Sequence, residues 1–146
     1  MSLKDAQRKL GQIMERWQKI EDSSVASTGK IIEKTDNPIV RLVMEIIQRD
    51  SQMHHRVQQL IADSQKNKAL ALRPDELGEV WEMIEQHVKL EKATIKLAKE
   101  SLAAIGRAKG MVVQAYLLEY LLKDEKKHDA LLKDLAKIKK GMYPYG

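Results

Sequence analysis

"LEYLLKDEKKH", residues 118–128, and "MEIIQRDSQMH", residues 44–54, decide the fold when laid one on the other. They share Glu119 with Glu45, Asp124 with Asp50 and His128 with His54, over a common apolar frame. The upstream segments repeat too. "EMIEQHVKLE" (82–91) follows "QIMERWQKIE" (12–21), pairing Glu85 with Glu15, Lys89 with Lys19 and Glu91 with Glu21. Two segments repeated in the same order indicate a duplicated helical hairpin.

Three breaks mark the ends of the helices. "TDNP" (35–38) offers Asp36 or Asn37 as an N-cap with Pro38 at the first helical position. "NKALALRPDEL" (67–77) loses the helical period and restarts at Pro74. "IGRAKG" (105–110) supplies Gly106 to end one helix and Gly110 before the next. Helices are expected near 3–34, 38–65, 75–105 and 110–140. At 1.5 Å per residue each is roughly 40–48 Å long. Long, regular helices with short connections imply an all-α fold, a four-helix bundle of two duplicated hairpins in a single domain over residues 1–146.

Composition agrees. Three prolines and seven glycines stand among residues that lose little rotamer freedom in a helix. There is no cysteine, which excludes disulfides and thiolate metal sites and fits a reducing compartment. No apolar run reaches the ~18 residues of a membrane span, and "MSLKDAQRKL" lacks a signal peptide's apolar stretch. A cytoplasmic protein without a membrane partner is expected. The net charge of +5 is spread over segments such as "KLEKATIKLAKE", where lysines and acids alternate, and aromatics are only 4%. That argues against nucleic-acid binding, which favours a clustered basic face with stacking aromatics.

Core-facing positions recur at alternating steps of three and four. The four rows are Leu10-Met14-Trp17-Glu21-Ser24-Thr28-Ile31, Val43-Ile47-Asp50-His54-Val57-Ile61, Leu77-Val80-Ile84-His87-Glu91-Thr94-Ala98 and Leu117-Leu121-Asp124-His128-Leu131-Leu135-Ile138. Each is apolar at its ends and broken by acid or histidine near its middle. Residues equidistant from a hairpin turn face each other. Glu21 and His54 are centred between residues 37 and 38, and Glu91 and His128 between residues 109 and 110. Each hairpin should therefore set a glutamate opposite a histidine. A layer of buried acids needs compensating charge, and no lysine or arginine stands on these rows at that level. A metal ion, or two, would supply it, and carboxylate with imidazole suits iron, manganese or zinc.

At these residues the chain resembles the ferritin-like superfamily, and within it the rubrerythrin-type carboxylate-bridged dimetal proteins. Their pattern is one glutamate from each of two helices and Glu-x-x-His from each of the other two. Glu91 with Glu125-Lys-Lys-His128 matches one half; Glu21 with Ser51-Gln-Met-His54 matches the other, except that serine replaces the glutamate. The resemblance implies a metal site of Glu21, His54, Glu91, Glu125 and His128 holding one or two ions, iron first. It also implies oxidase or peroxide-handling chemistry with O₂ or peroxide as partner. Asp50 could stand in for the missing glutamate. Asp50 and Asp124 are candidates either for ligation or for bonding a histidine from behind.

Other residues have plainer readings. His87, whose repeat partner is Trp17, reads as core filling or as an outer neighbour of the site. Met14, Met44, Met53, Met83 and Met111 read as gap-filling core. Tyr116 and Tyr120 read as packing, with redox activity as the sharper option. "SSVASTG" (23–29) reads as a close helix approach or a bulge. No phosphate loop or nucleophile elbow is present. The competing functional reading is a non-catalytic helical scaffold or partner-binding protein with a vestigial site, motivated by Ser51. Trp81 and the tail tyrosines, Tyr143 and Tyr145, make a homodimer the expected assembly. Between helices 2 and 3, "SQKNKALALR" is expected to run as an extended crossover rather than a compact turn, as the resemblance implies.

Overall fold

The computed structural model describes residues 2–66 and 74–142. Four helices run in order: α1 (Leu3–Lys34), α2 (Pro38–Lys66), α3 (Pro74–Ile105) and α4 (Val112–Met142). There is no strand among the described residues. Helix α1 pairs with α2 and α3 with α4. The fold is therefore all-α, with the pairing consistent with a four-helix bundle built from hairpins. The chain divides into two compact units, Met1–Leu70 and Ala71–Gly146, one hairpin in each. The expected crossover falls on residues 67–73 and lies outside the described residues, as do Tyr143 and Tyr145.

Local chemistry sets the helix ends. Ser2 caps α1: its Oγ accepts from Asp5 N at 3.1 Å while Asp5 Oδ2 accepts from Ser2 N at 3.4 Å, a reciprocal box. Of the two candidates for the α2 cap, Asn37 serves. Its Oδ1 accepts from Ile39 N at 3.0 Å and Val40 N at 3.1 Å. Arg41 reaches back to the end of α1, donating from Nη1 to the carbonyls of Ile32 (2.7 Å) and Thr35 (3.0 Å). One side chain thus satisfies two carbonyls that a helix end leaves open.

Helix α4 starts two residues later than its periodicity suggests. Gly106 (φ 56°) and Gly110 (φ 88°) both adopt left-handed backbone. A helix cannot run through Gly110 in that conformation, so it begins at Val112, where Ala115 N bonds Met111 O at 2.9 Å.

Each hairpin has a narrow seam. Among the described residues the buried apolar side chains are Met14, Ala62 and Ala98, while Glu21, Thr28, Ser51, Gln58 and Glu91 are buried and polar. Two helices alone enclose a single line of contact, so within each hairpin few side chains are fully buried. On α2 the buried positions are Ser51, Gln58 and Ala62, one step along from the expected row, whose Ile47, Asp50, His54 and Val57 are exposed or half-buried. The α1–α2 seam is therefore polar, closed by bonds such as Gln18 Nε2 to His55 O at 3.2 Å and Gln48 Nε2 to Val25 O at 3.2 Å. Gly29 allows the close approach expected of "SSVASTG": an added Cβ would stand 3.4 Å from Gln48 Nε2.

Candidate metal centre

The register deduced from the turns holds in both hairpins. Glu21 Oε1 lies 3.3 Å from His54 Nδ1, and Glu91 Oε1 lies 3.5 Å from His128 Nδ1. The level below repeats as well. Ser24 Oγ meets Ser51 Oγ at 2.8 Å; at the matching positions Thr94 Oγ1 meets Glu125 Oε2 at 2.9 Å. Glu125 thus occupies the place that Ser51 fills in the first hairpin.

In the second hairpin three potential ligands converge. Glu91, Glu125 and His128 each offer an atom within 4.8 Å of the other two. Glu91 is buried, and its Oε2 finds no hydrogen-bond partner among the described residues. Two ionised carboxylates cannot bond each other, so this pair calls for a proton or a cation between them. The electrostatics agree: hydrogen bonding with Glu91, the largest influence, pushes the Glu125 carboxyl above the usual range. The same bond holds Glu91 below it, against the opposing effect of burial, with help from His87 and His128.

His128 is oriented from behind. Its Nε2 lies 3.3 Å from Asp124 Oδ2, while Nδ1 faces Glu91 Oε1 at 3.5 Å and Glu125 Oε2 at 3.7 Å. With the Nε2 proton on Asp124, Nδ1 presents its lone pair to two carboxylates. Three electron-rich atoms then face one point, the arrangement a cation satisfies. Asp124 is itself anchored by Lys127 Nζ at 2.8 Å. Asp124 stands outside the converging group, on the far side of the His128 ring.

The first hairpin brings together less. Glu21 is buried and His54 is 58% exposed, with Ser51 hydrogen-bonded to Ser24 where a third ligand would stand. Asp50 is exposed, outside the converging group. His55, the neighbouring imidazole, pairs instead with Asp22 at 3.0 Å.

Two further participants have no place in the ligand motif. His87 bonds Glu91 directly, Nε2 to Oε1 at 2.8 Å. Thr94 Oγ1 lies 2.8 Å from the Glu91 carbonyl and 2.9 Å from Glu125 Oε2. Both stand on the same row as Glu91, four residues before and three after, and that placement is the signal the sequence offers. No described helix is long and apolar enough to cross a membrane. Comparison with family models, curated proteins and solved structures gives no match.

Proposed function

We propose that this protein binds a divalent transition metal through Glu91, Glu125 and His128, with iron the first candidate and manganese and zinc the next. The observation that carries the reading is the buried, unpartnered Glu91 Oε2 beside a second carboxylate and an imidazole nitrogen. An ion there would neutralise both acids and take the place of the proton that one of them must otherwise carry. Such an ion with an open coordination position supplies Lewis-acid and O₂ or peroxide chemistry, the activity that the ferritin-like resemblance implies. The chain's own part is to hold the ligands: Asp124 fixes the His128 ring and Thr94 fixes Glu125. Glu21 and His54 would serve as a weaker, incomplete site.

Anaerobic reconstitution with iron(II), manganese(II) and zinc(II), followed by metal analysis, tests the reading. Retention of at least one ion by wild type and its loss from Glu91→Ala and His128→Ala are expected. Failure of all three metals to bind would end it.

The first hairpin favours a second reading for its own half. Ser24 and Ser51 satisfy each other without any ion, as a helical scaffold with a vestigial site would. On that reading metal does not change the thermal stability of the chain, whereas metal binding raises it.

A further inference from the structure

The hairpins differ at two of four equivalent positions around the glutamate–histidine pair. The first has Trp17, Glu21, Ser51 and His54; the second has His87, Glu91, Glu125 and His128. Each place where the first hairpin lacks a ligand, the second supplies one. Glu125 belongs to the metal reading already given. His87 does not.

We infer that His87 is the fourth ligand of a single-ion site held wholly within the second hairpin, two imidazoles and two carboxylates around one divalent ion such as zinc or iron(II). The inference rests on the metal-binding reading of Glu91, Glu125 and His128. It departs from a two-ion centre and from an open coordination position, because the hairpin supplies four ligands by itself. Of the reading above it keeps the metal and its three ligands, and a sphere closed in this way holds the ion as a structural element.

Helical geometry supports it. Residues four apart lie on one face, the spacing by which paired side chains chelate an ion from a single helix. His87 and Glu91 form such a pair on α3, and Glu125 and His128, three apart, form another on α4. Tetrahedral ligand atoms about 2.0–2.1 Å from an ion stand roughly 3.3 Å from one another. The separations already present bracket that value: 2.8 Å from His87 Nε2 to Glu91 Oε1, 3.5 Å from His128 Nδ1 to the same oxygen, and 3.7 Å from His128 Nδ1 to Glu125 Oε2. His87 attaches to the converging trio through Glu91 alone, and its ring is half-exposed, so joining the trio would need it to turn inward. Both imidazoles thus meet one buried carboxylate whose second oxygen has no other partner among the described residues.

The alternative role for His87 is to hold Glu91 by a hydrogen bond. The His87→Gln substitution separates the two, because a glutamine amide can donate to Glu91 Oε1 but does not replace an imidazole ligand. Wild type, His87→Ala, His87→Gln and, as a control in the first hairpin, His54→Ala are loaded with zinc(II) or cobalt(II). Metal content, affinity, the visible spectrum of the cobalt form and X-ray absorption of the zinc form are measured, with the fold of each apo chain checked by circular dichroism. One ion per chain is expected, with two imidazoles in the zinc sphere and the intense visible bands of four-coordinate cobalt. Both His87 variants should lose more than the roughly 10–100-fold in affinity that removing a ligand's hydrogen-bonded neighbour costs. His54→Ala should leave affinity and spectrum unchanged. One imidazole in the zinc sphere, or full rescue by glutamine, would overturn the inference while leaving the three-ligand reading intact. A second ion dependent on His54 would overturn the single-ion claim. No bound metal in wild type would overturn both readings.

Discussion

Ser51 lies hydroxyl to hydroxyl with Ser24 at 2.8 Å, in the position where Glu125 meets Thr94 at 2.9 Å in the other hairpin. A single residue type at one level therefore separates a hydroxyl pair that satisfies itself from a carboxylate pair that calls for a proton or a cation. Restoring the carboxylate should transfer that requirement. In Ser51→Glu the new side chain enters a buried position equivalent to that of Glu125, in a hairpin whose Glu21 is buried too. Without metal the variant should lose about 1–3 kcal/mol, the cost of an unsatisfied buried polar group. Zinc or cobalt should return part of that loss, because Glu21, His54 and the new glutamate make three ligands. Denaturant melts with and without metal read the difference; a variant as stable as wild type in metal-free buffer would contradict the equivalence of positions 51 and 125.

Gly106 permits a second, independent test. Its φ of 56° suits glycine, and an added Cβ would meet only Ala103 O at 3.7 Å, so space is not the obstacle. Gly106→Ala should therefore cost about 1–2 kcal/mol through backbone strain alone. Thermal melts should show the loss, while metal affinity stays at the wild-type value because the turn lies far along α3 from Glu91.

These contrasts also show what spacing can and cannot carry. Asn37 before Pro38, and Gly106 after a long periodic run, are local signals whose chemistry acts within a few residues, so the helix ends are legible. The facing of Glu21 with His54 and Glu91 with His128 is legible because equidistance from a turn fixes it. The placing of Asp124 behind the His128 ring is not, because it depends on which imidazole nitrogen turns toward which carboxylate. Spacing does not choose between those rotamers. The seam of α2 lies one step from its apolar row for another reason. Its buried positions, Ser51 and Gln58, are polar, while the apolar row beside them, with Ile47 and Val57, is exposed. A search for apolar periodicity follows the wrong row there.

Met83, Leu90 and Leu97 stand seven residues apart on α3 and are 70%, 61% and 60% exposed. A row of that period is one of the two apolar rows by which helices associate in coiled coils. It gives the homodimer expected from sequence a more specific surface than the tail tyrosines do. Sedimentation should show self-association at tens of micromolar, a range chosen for ordinary association. Leu90→Glu should shift the chain to monomer without loss of helix content. Monomeric wild type at that concentration would remove the dimer.

The two carboxylates of the second hairpin predict a pH dependence of opposite limbs. Glu125 is held above the usual carboxyl range, chiefly by its bond to Glu91. A raised group contributes stability that is present below its unfolded value and lost as pH rises through the folded one. Glu91 is held below the usual range, chiefly by the same bond. Its contribution is present above the unfolded value and lost as pH falls through the lowered one. Metal-free protein taken down from neutral pH should therefore first gain stability, as Glu125 takes up its proton, and then lose it as Glu91 does. Glu125→Gln keeps an acceptor for Thr94 and mimics the protonated acid, so it should abolish the first limb and spare the second. Metal removes the same limb by another route, because the ion displaces the shared proton; its affinity should fall as the pH drops through the range where Glu125 becomes protonated. Denaturant midpoints against pH for wild type and Glu125→Gln, each with and without zinc, check both statements. A wild-type curve that only declines on acidification, or a glutamine variant that keeps the initial rise, would show that the two carboxylates do not share a proton.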